Sequence, residues 1–126
     1  MTSETSFIYT FHSPHVHEFA LHDAQPSTVD AFFEQLDLVM GALPEGEVLR
    51  LVLHTQHITS VQYMMPYRRA LKKKYPRIQR PRIAIVYPQS LQVYLINIVA
   101  RAMTNSASVR MFHTHQTTEA LAWVAQ

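Results

Sequence analysis

The sequence predicts a single α/β domain, residues 1–126, built on a mixed, mostly parallel β-sheet of roughly four to five strands covered by about four helices. Short apolar runs such as Leu49–Leu53 and Arg82–Tyr87 have the composition of strands that are buried on both faces. Longer segments with apolar residues at every third or fourth position alternate with these runs and indicate helices. A composition that is 48% hydrophobic and 16% charged is typical of a packed globular protein.

The predicted order of elements is β-β-α-β-α-β-α-β-α. The apolar stripe from Val29 to Leu43 indicates the first helix, which Ser27 should cap and in which Asp30, Glu34 and Asp37 should face away from the core. The other expected elements are strands at Phe7–Phe11, Val16–Leu21, Val48–Leu53, Arg82–Tyr87 and Ser108–Phe112, and helices from about Ser60 to Tyr75, from Ser90 to Met103, and after Thr117 or Thr118.

The composition excludes several kinds of site. Without cysteine the chain has no disulfide, thiolate zinc site or cysteine nucleophile. The two glycines, Gly41 and Gly46, lie outside the predicted strand-to-helix turns, so a glycine-rich phosphate loop is excluded and no cofactor is predicted. The sequence shows neither the pattern of a signal peptide nor an apolar run of membrane-spanning length, which favours a soluble, cytoplasmic protein.

Acidic and basic residues are segregated along the chain. Acids are concentrated between Glu4 and Glu47, whereas the basic helix 66–82 carries most of the Lys and Arg residues, although the net charge is only +2. This helix suggests an anion-binding module for nucleic acid or acidic lipid, while a solvated helix face is the simpler interpretation. The lysines fan around the helix instead of forming a stripe, which disfavours nucleic acid. The candidate anion-binding residues are Lys72, Lys73, Lys74 and Arg77.

Eight histidines in 126 residues are the unusual feature of the composition. His54 and His57 follow the central strand, and His113 and His115 follow the last one, so all four could meet at the carboxyl edge of a parallel sheet. Their spacing matches no known metal signature, so no metal is assigned. A histidine-based metal-dependent protein or small enzyme stays an alternative function.

Two stretches resemble the SpoIIAA-like branch of the STAS superfamily of anti-sigma-factor antagonists. One is the central LVLHTQHITSV followed by a helix, and the other is the ending VRMFHTHQTTEALAWV. The order of elements is similar over nearly the whole chain. The resemblance implies a mixed sheet backed by helices and a regulatory or protein-interaction role without catalytic residues.

In that family a phosphorylatable Asp-Ser-Ser-Gly motif begins the regulatory helix. The matching positions here run from Thr59 to Gln62, and Ser60 takes the phosphoacceptor place without the preceding acid or the following glycine. Ser60 is therefore read first as an ordinary helix cap. The resemblance implies a non-catalytic domain with an unknown protein partner, and a homodimer is compatible with it through helix 91–103 or the charged faces. The candidate contact residues are Thr59, Ser60, His54, His57, Arg68 and Arg69.

Overall fold

Five strands form one sheet in the order β1-β2-β3-β4-β5 in a computed structural model that describes residues 7–12, 15–23, 25–55, 61–88 and 108–126. β1 pairs antiparallel with β2, and every later neighbour pairs parallel. The mostly parallel sheet predicted from the apolar runs is confirmed. The strands are β1 (Phe7–His12), β2 (Val16–Leu21), β3 (Arg50–Thr55), β4 (Arg82–Tyr87) and β5 (Ser108–His113).

Three α-helices are described: α1 (Pro26–Ala42), α2 (Val61–Lys74) and α3 (Thr117–Ala125). A 3-10 turn, Thr114–Gln116, leads into α3. The further helix expected from Ser90 to Met103 lies outside the described residues. Within the described part of the chain, no helix has the length and apolarity needed to cross a membrane.

The predicted cap of α1 is wrong. The helix begins at Pro26, one residue before Ser27, and Gln25 occupies the capping position without a side-chain bond. Proline suits the first helical position because its φ is fixed near the helical value. It has no N–H, but an N–H at this position would make no bond within the helix. Thr28 instead ties this end down by donating to Asp23 Oδ1 at 2.6 Å.

The predicted cap of α3 is also wrong. Thr117 lies inside the helix, and its hydroxyl donates to the carbonyl oxygen of Thr114 at 3.1 Å. The side chain of Gln116 reaches back and accepts a bond from the backbone N–H of His113 at 2.9 Å. A 3-10 turn therefore precedes the helix in place of the expected threonine cap.

The helices cover both faces of the sheet. α1 and α2 pack on one face, where the predicted α1 stripe is buried against Phe19, Leu51 and Ile83. α3 packs on the other face against Val52, Val86 and Phe112. Crossovers of one hand between successive parallel strands place their helices on the same side, which accounts for α1 and α2 lying together.

Candidate functional site

Three ionisable side chains meet on the α3 side of the sheet, near the β1 edge. Glu18 of β2 lies between His12 of β1 and His54 of β3. Its Oε1 atom is 2.7 Å from His12 Nε2, and its Oε2 atom is 2.5 Å from His54 Nε2. We call His12, Glu18 and His54 the His–Glu–His cluster. It links three adjacent strands through one carboxylate.

Strand alternation and register explain this meeting. Glu18 is level with Val52 on β3, and the next pair along the same face sets Ala20 beside His54. On the other side His12 is level with Val16, one pair before Glu18 on that face. Both imidazoles are thus diagonal neighbours of Glu18, a separation that long side chains bridge.

The cluster is only partly open to solvent. The Glu18 side chain is 17% exposed, compared with 21% for His54 and 37% for His12. Burial alone would raise the pKa of the Glu18 carboxyl, but the bonds and charges of His12 and His54 together bring that pKa below its ordinary value of 4.5. Glu18 is therefore an anion at neutral pH, and each imidazole donates to it from a protonated Nε2, since a carboxylate only accepts.

This geometry favours structure over reaction chemistry. Both oxygens of Glu18 are occupied, and a carboxyl with a lowered pKa is a poor general base near neutral pH. Among the described residues, no group of three or more His, Asp or Glu side chains is arranged to hold a metal ion. What the cluster does is fix the orientation of His54, one residue before the carboxyl end of β3.

His54 and His113, which could have met at the carboxyl edge, project on opposite faces of the sheet. His54 is level with Val86, whose side chain belongs to the α3-side core, whereas His113 is level with Tyr87 of the opposite core. His113 stacks on the exposed His115, with ring centroids 5.7 Å apart. The described residues therefore do not bring His54 together with His113 and His115, and His57 lies outside the described residues.

The predicted contact surface is divided in the same way. His54 is on the α3 side, whereas Arg68 and Arg69 are on α2, which packs on the other face through Leu71. Arg69 is exposed, and Arg68 is half-buried with a guanidinium pKa lowered by that burial. The described residues do not join these three side chains in one surface. Thr59, Ser60 and His57 lie outside the described residues.

Two of the four candidate anion-binding residues are engaged with α1. Lys74 Nζ lies 3.0 Å from both carboxylate oxygens of Asp37. Arg77 donates to the carbonyl oxygens of Met40 and Leu43, at 3.3 and 2.7 Å, and so satisfies the C-terminal end of α1. Lys72 and Lys73 are exposed. The basic segment therefore serves in part to hold the end of α2 against α1.

The acids of α1 take part in the same contact. Asp30 accepts a hydrogen bond from the hydroxyl of Tyr67, and Asp37 accepts one from Tyr75 at 2.5 Å. Asp30 and Asp37 lie outside the core, as predicted, but they contact α2, which packs beside α1 on the side where they project. Phe33 stacks on Tyr67 with ring centroids 4.7 Å apart. Phe33, Tyr67 and the two acids line an open groove of about 380 Å³ between the two helices.

A second groove, which we call the edge groove, lies between the β1–β2 hairpin and α1 and has a volume of about 390 Å³. Tyr9 and His17 form its polar part through a 2.7 Å bond between Tyr9 Oη and His17 Nδ1. Burial raises the pKa of Tyr9, and burial followed by the charge of His15 lowers that of His17. Tyr9 therefore donates to a neutral imidazole. The edge groove is lined by Tyr9, Phe11, His15, His17, Gln35, Leu38, Val39, Ala42, Leu43 and Pro44.

Sequence reasoning missed Glu18, the centre of the His–Glu–His cluster. The signal is an acid in the middle of a strand that also contains the buried Val16 and Phe19. A carboxylate at such a position requires a donor from a neighbouring strand. The sequence does not identify His54 as one of the donors, because it is 36 positions away.

Comparison of the chain with protein-family models, with curated proteins and with solved structures found no match. The fold and the cluster define an α/β protein with a five-stranded, mostly parallel sheet and a structural His–Glu–His cluster.

Proposed function

We propose that this chain is a non-catalytic regulatory or protein-binding domain resembling the SpoIIAA-like STAS proteins, with a degenerate phosphoacceptor motif at Ser60. The order of elements on which the resemblance depends supports the proposal: the strands lie in chain order, and the C-terminal helix covers the face opposite α1 and α2. The cysteine-free composition supports a cytoplasmic location.

The observation that carries the proposal is the saturation of Glu18. His12 and His54 each occupy one of its oxygens, so these three ionisable side chains bond to each other. A reaction centre needs a group that is free to accept a proton or a ligand. A recognition surface needs rigid support, and the cluster supplies this by joining β1, β2 and β3.

The proposed contact surface begins at the end of β3. His54 is held there by Glu18, and residues 56–60 connect β3 to α2. We place the partner contact on His54, His57, Thr59 and Ser60. Arg68 and Arg69 are left out of this surface because α2 packs on the other side of the sheet.

The test is a charge placed at the predicted contact point. Proteins captured from the source cell by the tagged chain are quantified by mass spectrometry for wild type and for Ser60→Glu. We expect at least one protein bound by wild type to be lost in Ser60→Glu, with the melting temperature unchanged. Gln79→Glu is the matched control, since it adds the same carboxylate at an exposed position between α2 and β4. If Ser60→Glu captures the same set of proteins as wild type, this surface is removed from the proposal.

A further inference from the structure

We propose that the outer edge of β1 is a homodimer surface, where β1 pairs antiparallel with β1 of a second copy and joins the two sheets into one. In the described sheet β1 pairs with β2 on one side and forms the edge on the other. The unpaired N–H and C=O groups of an edge strand are a template for another strand. A twofold axis perpendicular to the sheet would make this contact self-complementary.

β1 lacks the devices that usually protect an edge. Its sequence, FIYTFH, contains no proline, lysine, arginine or acid. Its histidine, His12, bonds to Glu18. Ile8 is 55% exposed and Phe11 is 52% exposed, so the edge presents large apolar groups to water. The opposite edge differs, because β5 carries the exposed Arg110 near its centre.

Symmetry limits the possible registers. Residues opposite each other in an antiparallel pair project on the same face, so their numbers must sum to an even value across the axis. The two registers with the longest overlap centre on Tyr9, pairing residues 7–11, or on Thr10, pairing residues 8–12. In the first Phe11 faces the Phe7 of the second copy, and in the other it faces its Tyr9. Either register forms cross-strand aromatic pairs, which stabilise sheets.

The edge alone is too small for a stable dimer. A six-residue strand is about 20 Å long and a sheet about 10 Å thick, so the bare edge covers ~200 Å² against the ~800 Å² that each partner typically buries. α1 contacts both β1 and β2, and the perpendicular axis would bring α1 of each copy to the same side of the joined sheet. The rest of the contact must come from the edge groove, which Phe11 lines together with Leu38 of α1, itself 66% exposed.

The charge on α1 is distributed in a way that permits this approach. Its acids Asp30, Glu34 and Asp37 all line the groove toward α2. The side that lines the edge groove carries the uncharged Gln35, Leu38 and Ala42. The two α1 helices therefore meet through sides that carry no charged residue, and their like charges stay on the far sides.

Disulfide trapping tests the pairing directly. The natural chain has no cysteine, so a disulfide in a single-cysteine variant must join two copies. Opposite Cα atoms in an antiparallel pair are about 4.5–5.5 Å apart, within the range a disulfide spans. We expect rapid dimer trapping for Thr10→Cys or for Tyr9→Cys, whichever lies on the axis. Ile8→Cys is the control on the same strand, because neither register places position 8 opposite itself, and it should be trapped slowly.

Sedimentation supplies the second arm. Wild type should sediment as a concentration-dependent dimer. The variants Phe11→Lys and Leu38→Glu should each sediment as monomers, and their circular dichroism spectra should show that they are folded. Val48→Lys is the control, since Val48 is a 41% exposed apolar residue outside β1 and the edge groove. A wild type that is monomeric overturns the proposal, and so does a wild type whose β1 edge pairs with a strand of another protein instead of a second copy. A dimer that persists in both disruptive variants, or that is trapped equally at positions 8, 9 and 10, overturns it as well.

Discussion

The Nε2 atom of His54 lies 2.5 Å from Oε2 of Glu18, and this contact joins β3 to β2 on the face that α3 covers. The second oxygen of Glu18 holds His12 at the end of β1. One carboxylate thereby couples the antiparallel hairpin to the parallel part of the sheet, so its protonation state should affect the stability of the whole fold.

We expect Glu18→Gln to lower the free energy of unfolding at neutral pH by about 1–3 kcal/mol, because a neutral amide cannot accept from both imidazoles as the carboxylate does. The pKa of Glu18 is lowered in the folded state, mainly because the bonds from His12 and His54 outweigh burial. The stabilising contribution of the ionised Glu18 is therefore complete above pH 4.5, and it is lost as the pH falls through the lower pKa of the folded state.

Urea unfolding from neutral pH down to below pH 4.5 measures the contribution of Glu18 to the free energy of unfolding. The difference between wild type and Glu18→Gln should shrink toward low pH. Glu45→Gln is the control, since Glu45 is exposed in the turn after α1. A difference that stays constant with pH would contradict an ionised Glu18 in the cluster.

Between Tyr9 and His17 the sign of the pH effect follows from burial of an imidazole. Burial first, and the charge of His15 second, lower the pKa of His17 below its ordinary value of 6.5. The folded state binds the proton less readily, so stability is full above 6.5 and falls as the pH drops from 6.5 toward the lower folded value. His17→Gln keeps an acceptor for the Tyr9 hydroxyl and should flatten this part of the curve.

Thermal melts at successive pH values compare His17→Gln with His22→Gln, which changes an exposed histidine. If both variants keep the slope of wild type below pH 6.5, the assignment of that slope to His17 is wrong.

We expect Arg82→Lys to cost about 1–2 kcal/mol, because the guanidinium makes two contacts with α3 that an ammonium group reproduces less well. Arg82 Nε donates to the carbonyl oxygen of Trp123 at 2.8 Å, and its guanidinium carbon lies 4.0 Å from the centre of the Trp123 ring. Trp123 is the sole tryptophan, so its fluorescence reports the unfolding of α3 directly. Arg80→Lys, at an exposed position, should leave the transition unchanged.

Near the end of α1, the effect of Gly41→Ala should depend on Tyr75. A Cβ at position 41 would lie 3.0 Å from the Tyr75 hydroxyl oxygen and 3.7 Å from the nearest ring carbon. In a Tyr75→Phe background the close contact is removed, and Ala should stabilise the helix by about 0.5–1 kcal/mol. With Tyr75 present, the gain should be smaller or reversed. Chemical denaturation of wild type, the two single variants and the double variant gives the coupling energy between the two positions. Strictly additive effects would contradict the expected dependence on Tyr75.

Local patterns were sufficient wherever one element decides its own structure. The three- and four-residue spacing from Val29 to Leu43 predicted the buried face of α1, and short apolar runs located all five strands. Helix termini were predicted less well, since Pro26 and the 3-10 turn before α3 replaced the expected Ser27 and Thr117 caps. Several short motifs can satisfy the same end groups of a helix, and the sequence does not select among them.

The side of each element that other elements contact was beyond local pattern. Asp30 and Asp37 have the spacing of solvent-facing residues, yet they accept bonds from Tyr67 and Tyr75 because α2 packs beside α1. Local pattern also left open whether His54 meets His113. Both follow apolar runs, but register and alternation project them on different faces.

The sequence by itself determined the fold class, the strands and the buried face of α1, because hydrophobic periodicity is a local consequence of helix and strand geometry. Only the tertiary structure decided which polar residues meet. Glu18 and His54 are 36 positions apart, and their contact depends on the register in which β2 pairs with β3. That register is set by packing of the whole sheet, since a slip of one residue would turn every side chain of a strand to the other face.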